Sequence, residues 1–190
     1  MNLVLATRNP HKVREFAALL APHGVDPLPP EVQLPAEAGV TFAENALGKA
    51  RAAAAATGRV AIADDSGIEA AALGGAPGVR SARFAGEHAT DEENLRRLLD
   101  EAPDGSPLAY VCALAWVDPA RGEEHVVEGR CTGTLTTATR GTGGFGYDPA
   151  FVPDDDATGR TMAELSPQEK DAISHRGRAV RELGAWLAGR

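Results

Sequence analysis

Only two cysteines, Cys112 and Cys131, occur in the 190 residues, and neither stands at a metal-ligand spacing from another thiol or a histidine. A disulfide framework and a zinc site are thereby set aside, and both residues read as buried free thiols in a reducing cytoplasm. No apolar run approaches the roughly 20 residues of a membrane-spanning helix. The N-terminal stretch from Met1 to Arg8 is too short in apolar residues for a secretory signal and has no basic leader. Basic residues are also in deficit, 19 Lys and Arg against 27 Asp and Glu, for a net charge of -8. Phosphate backbones reward a basic surface, so a general nucleic-acid binder is excluded. Any anionic ligand must be held by a local basic site or a metal ion. Aromatic residues make up only 5% of the chain. Where two of them fall close together among glycines, that placement needs a reason.

What remains is ordinary globular composition, 43% hydrophobic and 24% charged. The length fits a single domain over residues 1–190, of one or two lobes. Residues 3–6 read as a first strand, followed by Val13, Phe16, Ala17 and Leu20 at helical spacing and a stop at Pro22-His23-Gly24. The stretch from Pro27 to Pro35 is expected to be extended or irregular. Thr41 with Glu44 makes a capping box for a long alanine-rich helix that Gly58 ends. Val60 to Ala63 is a second buried strand running into Asp64-Asp65-Ser66-Gly67. Thr90 with Glu93 opens another helix, and residues 108–117 and 123–138 pair as a hairpin. Ser166 with Glu169 is a further capping box with Pro167 at the first helical position, and Ser174 can cap a last helix. This order predicts an α/β fold with a mixed sheet.

Four segments carry chemistry, each with a bland alternative. Thr7-Arg8-Asn9-Pro10-His11-Lys12 stands at a helix N-terminus, where free amides and the helix dipole receive phosphate. The alternative is a capped helix start with solvated charges. Asp64 and Asp65 follow a buried strand, and neighbours on an extended chain point to opposite sides. One can then serve a site, as magnesium ligand and water-orienting group, while the other anchors the loop. The alternative is an aspartate-stabilised turn. Gly143-Gly144-Phe145-Gly146-Tyr147-Asp148-Pro149 suits a flat polar ring, or else a glycine-rich hairpin with its aromatics in the core. His175 and Arg176 put cations in the first turn of a helix, against the dipole, and with Lys170 they suit a carbonyl acceptor. The alternative there is a basic face paired with Glu164 or Glu169.

With these motifs in order, the sequence resembles the inosine/xanthosine triphosphate pyrophosphatases, which clear non-standard purine nucleotides. The resemblance rests on Leu5-Ala6-Thr7-x-Asn9-x-x-Lys12, Thr41-Phe42-x-Glu44-Asn45-Ala46, Ala63-Asp64-Asp65-Ser66-Gly67, Gly74 to Gly78, Gly141 to Pro149, and Glu169-Lys170-x-x-Ile173-Ser174-His175-Arg176. It implies a two-lobed domain with a central mixed sheet flanked by helices and a substrate cleft between the lobes. It also implies a cytoplasmic homodimer that depends on Mg2+. The implied reaction takes ITP, dITP or XTP and water to the monophosphate and pyrophosphate. On matching positions, Asp65 is proton acceptor and metal ligand, Glu37 a second metal carboxylate, and Ser66 a substrate contact. Thr7, Arg8, Asn9, Pro10, His11 and Lys12 hold the triphosphate, joined by Lys49. Phe145, Gly146, Tyr147, Asp148, Lys170, His175 and Arg176 hold the base.

One departure stands out. The family loop reads Thr-Gly-Asn, and this chain has Arg8 in the glycine place. If that position needs positive φ, arginine strains it; otherwise its charge joins those near phosphate. The implied selectivity is physically coherent, since donors on His175 and Arg176 satisfy the C6 carbonyl of hypoxanthine or xanthine and would meet adenine's amine unpaired. Two rivals stay open at this level: a pyrophosphatase for pyrimidine nucleotides and a non-catalytic nucleotide sensor.

Overall fold

The computed structural model describes residues 3–21 and 24–189. Strand and helix alternate at first: β1 (Leu3–Leu5), α1 (Pro10–Leu19), β2 (Val25–Pro27), α2 (Phe42–Thr57) and β3 (Ala61–Ala70). There follow α3 (Asp91–Glu101), β4 (Pro107–Asp118), β5 (Glu123–Leu135), β6 (Phe151–Pro153), α4 (Pro167–Ile173) and α5 (His175–Ala188). The expected stop at Pro22-His23 lies outside the described residues, and α1 closes at Leu19 with Leu20 as its cap.

The strands form one six-stranded sheet in the order β2-β1-β3-β4-β5-β6. β1 pairs parallel with β2 and β3, whereas β5 and β6 run antiparallel, so the sheet is mixed as the sequence predicts. β2 is an edge strand and ends in Pro27, where a missing N–H costs least. The expected end of the second buried strand is corrected. It does not stop at Ala63; β3 runs on through Asp64, Asp65, Ser66 and Gly67 to Ala70. An Asp-Asp-Ser-Gly run favours a turn locally, and strand pairing overrides that preference.

The chain divides into two compact units, one of Met1–Asp65, Cys112–Gly129 and Arg176–Arg190, the other of Ser66–Val111 and Arg130–His175. The core of the first gathers Leu5, Phe16, Ile62, Leu114, Trp116 and Leu183. That of the second gathers Ile68, Leu98, Tyr110, Leu135, Phe151 and Met162. Each such side chain contributes about 1.5–3 kcal/mol on full burial. Three helix starts are fixed as expected, by reciprocal Thr41/Glu44, Thr90/Glu93 and Ser166/Glu169 capping boxes. A cap of this kind is worth about 1 kcal/mol. Cys112 and Cys131 are both buried and unbridged. Burial, with Asp64 nearby, pushes the Cys112 thiol far above its ordinary value, which makes it inert. No described helix is long and apolar enough to cross a membrane.

Candidate functional site

In the first unit, β1 delivers the loop from Thr7 to Lys12 onto α1. Asn9 caps the helix: its Oδ1 accepts from the amides of His11 at 2.9 Å and Lys12 at 3.3 Å. The Asn9 amide in turn donates to Thr7 Oγ1 at 3.2 Å, and Pro10 begins the helix. Two amides expected to meet phosphate thus already have an acceptor. The His11 ring meets Arg14 at 2.8 Å.

Arg8 resolves the question raised by its position. No non-glycine among the described residues has positive φ, so the backbone there is unstrained. Its guanidinium donates to the carbonyls of Leu28 (3.0 Å), Pro29 (2.7 Å), Pro30 (3.1 Å) and Val32 (2.9 Å). A planar fork of donors suits such a cluster of carbonyls. The side chain straps the proline-rich segment to the loop between β1 and α1.

Neighbouring aspartates of β3 divide their roles. Asp64 is fully buried, with Lys12 Nζ at 2.8 Å and Arg176 Nε at 3.7 Å from its Oδ2. Burial alone would raise its pKa, but Lys12, Arg176 and Lys49 outweigh that and bring it down to about 2. Asp64 is therefore the anchor of the pair. Arg176 also donates to Glu15 Oε2 at 2.8 Å.

Asp65 is buried too, and its neighbours come from α2. Asn45 Nδ2 donates to Asp65 Oδ2 at 2.9 Å, and Lys49 Nζ lies 3.9 Å from Oδ1. Lys49 also donates to Glu37 Oε1 at 2.5 Å, so one ammonium faces both carboxylates. Burial and the charge of Glu37 hold the Asp65 carboxyl above its ordinary value, against the opposing pull of Lys49 and Asn45. Such a shift suits a proton acceptor better than an ordinary exposed aspartate. Lys49 remains a cation: burial disfavours its charge, but Asp64, Glu37 and Asp65 raise its pKa overall.

Glu37 and Asp65 offer hard oxygen donors of the type magnesium takes, which is one or two carboxylates completed by water and phosphate. Among the described residues no group of three or more His, Cys, Asp or Glu side chains is arranged to hold a metal. A two-carboxylate site completed by a substrate fits; an all-protein cage does not.

The second unit is organised around Asp148, which is buried in a 3-10 turn. Its Oδ2 accepts from Lys170 Nζ at 2.7 Å and from the Phe145 amide at 2.9 Å, and its Oδ1 from Tyr110 Oη at 3.0 Å. Lys170 Nζ also lies 5.2 Å from the centre of the Phe145 ring. The His175 ring stacks on Tyr110 with centroids 4.7 Å apart, and Phe151 packs against Tyr110 at 4.6 Å. Gly144 makes the loop possible: its φ is +69°, and a Cβ there would fall 1.9 Å from Asp148 Oδ2.

The other expected base contacts have partners of their own. Tyr147 is buried, with its hydroxyl on the Ser81 carbonyl at 2.7 Å, and the Gly146 amide donates to Asp91 at 3.1 Å. Tyr147 is thus held in the core of its unit, while Phe145 stays half-buried. Lys170 pairs with Asp148 rather than with Glu164 or Glu169, which bind Arg140 and Arg160. His175 and Arg176 adjoin in sequence but engage different partners, Tyr110 for one and Glu15 with Asp64 for the other. Ser66 follows Asp65 in β3 and is half-buried.

Sequence reasoning gave no role to two further residues, Asn45 and Tyr110. Asn45 had a signal, since asparagine is a poor choice inside a helix unless its amide has work to do. Tyr110 had none beyond being one of 2 tyrosines in the chain.

Known proteins bear on this arrangement. The Ham1 family model matches residues 3–186. A dITP/XTP pyrophosphatase of Streptomyces coelicolor is 51% identical, covering 95% of this chain and 94% of its own. One of Geobacillus kaustophilus is 50% identical, over 95% of this chain and 91% of its own. The solved structure of a HAM1 protein from Coxiella burnetii aligns with a TM-score of 0.87 at 39% identity, both chains being covered at 100%. That of a nucleoside-triphosphatase / dITP/XTP pyrophosphatase from Mycobacterium abscessus gives 0.75 at 45% identity, over 96% of this chain and 98% of the other. With its sheet order, its buried Asp64-Asp65 pair and a match from the first strand into the last helix, the chain belongs to the Ham1 family.

Proposed function

We propose that this protein hydrolyses non-standard purine nucleoside triphosphates, XTP, dITP and ITP, to the monophosphate and pyrophosphate. The observation that carries the reading is Asp65, a buried carboxylate inside a sheet strand with a raised pKa, facing Asn45 and Lys49. Relatives about half identical over 95% of the chain, each a dITP/XTP pyrophosphatase, support it.

Asp65 takes a proton from water as the water oxygen bonds to the α-phosphorus. The bond from that phosphorus to the bridging oxygen breaks, and pyrophosphate leaves with the electron pair. Thr7 to Lys12 receive the triphosphate, Arg8 through its main chain and Lys12 through its ammonium. Lys49 and Lys12 supply fixed positive charge in an otherwise acidic protein. Glu37 and Asp65 would hold a divalent ion, Mg2+ in our reading, which supplies charge neutralisation on the phosphates. Ser66 adjoins the same strand position and touches substrate.

The base falls to Phe145, Gly146, Tyr147, Asp148, Lys170, His175 and Arg176. The Phe145 ring offers an apolar face, and Lys170, oriented by Asp148, is a donor matched to a C6 carbonyl. Adenine presents an amine there, and a donor left facing a donor costs roughly 1–3 kcal/mol. A homodimer in the cytoplasm, without nucleic-acid partners, completes the proposal. The test is a magnesium-dependent pyrophosphate-release assay over XTP, dITP, ITP, GTP, ATP and dUTP. Turnover should be highest on the first three; preference for a pyrimidine, or no release from any, would overturn the reading.

A further inference from the structure

The segment that carries Glu37 is held by the first turns of α2, and one side chain there does more than hold it. Glu44 Oε2 accepts from the amides of Val40 at 2.8 Å and Thr41 at 3.3 Å. Asn45 Oδ1 accepts from the amide of Gly39 at 2.8 Å, so three successive amides are gathered by two adjacent side chains. Gly39 has to be glycine for this, because a Cβ would lie 2.7 Å from Asn45 Oδ1 and 2.8 Å from Glu44 Cβ. The Gly39 bond also decides which way round the Asn45 amide sits. An N–H can point only at an acceptor, so the oxygen faces Gly39 and the nitrogen faces Asp65. That nitrogen donates to Asp65 Oδ2 at 2.9 Å, and Asn45 is itself buried.

We infer that Asn45 is a positioning residue for the reaction: it sets the plane of the Asp65 carboxylate and ties it to the segment bearing Glu37. The inference rests on the proposed role of Asp65. A carboxylate hinges about its Cβ–Cγ bond, and a broad torsion of that kind is fixed only by its partners. Lys49, at 3.9 Å, supplies charge without a directed hydrogen bond; Asn45 supplies the direction. Fixing the geometry of a reacting group matters because small misplacements lower the rate far more than they lower binding.

Two substitutions separate direction from packing. Asn45→Ala removes both bonds. Asn45→Asp keeps the shape and the acceptor for Gly39 but turns an acceptor toward Asp65. With XTP as substrate, kcat should fall about ten- to a hundredfold in Asn45→Ala and further in Asn45→Asp, with KM within about threefold. If shape alone mattered, Asn45→Asp would be the milder change. An Asn45→Asp enzyme with the wild-type kcat, or losses confined to KM, would overturn the inference. A readout without turnover covers the case of poorly folding variants. The side-chain amide NMR signals of Asn45 in the wild-type protein should shift when Asp65 is replaced by alanine. Unchanged signals would overturn the inference as well. Absence of pyrophosphate release from the wild-type protein would count instead against the proposed function, so the two failures are distinguishable.

Discussion

Lys12 Nζ lies 2.8 Å from Asp64 Oδ2, which joins the start of α1 to the centre of the sheet through one fully buried carboxylate. Arg176, from the start of α5, approaches the same oxygen at 3.7 Å. The immediate neighbour in sequence, Asp65, has its carboxyl among Asn45 and Lys49 instead. Adjacent residues of one strand thus give a buried anchor and the proposed proton acceptor, because the pleat turns them to opposite faces.

Replacing Asp64 by Asn should cost about 3–5 kcal/mol, since two cations would keep their burial and lose their counter-charge. The pH dependence has a definite sign. The folded pKa of Asp64, about 2, lies below its ordinary value of 3.8, so its contribution is complete above that value and lost as pH falls toward 2. Urea titrations between pH 5 and pH 2 should show a steeper acid loss for the wild type than for Asp64→Asn. Equal slopes would remove Asp64 from the acid response.

For Asp65 the sign reverses. Its folded pKa is raised, so the ionised form, which the proposed reaction needs, weakens the fold at neutral pH. Asp65→Asn should keep or slightly raise the Tm at pH 7 while pyrophosphate release falls about a hundredfold or more. Calorimetry and a rate measurement on one preparation check both halves. A variant that turns over normally would end the catalytic assignment.

The sequence revealed what is local in this fold and hid what is distant. Thr41 with Glu44, Thr90 with Glu93, and Ser166 with Glu169 stand three residues apart, so their capping boxes could be read directly. The end of β3 could not, because a run of Asp, Ser and Gly favours a turn unless neighbouring strands hold it extended. β2 and β6 have three residues each, too few for any period to show. At the site, Asp65 stood out by its position after an apolar strand. Asn45 and Tyr110 act on partners 20 and 38 residues away, and no local pattern records such a pairing. The direction of the Arg8 side chain was hidden for the same reason, since its carbonyls lie 20 to 24 residues further on.

Arg8→Lys tests the strap. Lysine keeps the charge but cannot serve four carbonyls with a planar fork. Stability should fall by about 2 kcal/mol, or roughly 4–8 °C in Tm for a chain of this size. An unchanged Tm would mean that the guanidinium contacts contribute nothing and that its charge is what matters.

The glycine loop offers a matched pair. Gly144 and Gly146 have similar φ, +69° and +63°, so alanine at either strains the backbone by about 1–2 kcal/mol. Only at Gly144 would the new Cβ also collide with Asp148 Oδ2, whereas at Gly146 nothing lies within 4 Å. Gly144→Ala should therefore raise KM for XTP and lower the Tm well beyond the effects of Gly146→Ala. Equal KM values would show that the Asp148 carboxylate does not govern the loop.

Tyr110 reaches the cluster proposed to hold the base from β4 by two routes, its hydroxyl on Asp148 and its ring against His175. Phenylalanine removes the first and keeps the second. A hydrogen bond to a charged acceptor is worth about 1.5–3 kcal/mol, and its loss leaves Lys170 and the Phe145 amide to orient Asp148 alone, both on its other oxygen. The carboxylate can then rotate, and Lys170 with it. Tyr110→Phe should raise KM for XTP about tenfold and leave kcat close to the wild-type value, because Asp65 belongs to a separate cluster of side chains. Should kcat fall and KM stay fixed, Tyr110 would instead be coupled to the hydrolytic residues, and the division of labour between the Asp65 and Asp148 clusters would have to be abandoned.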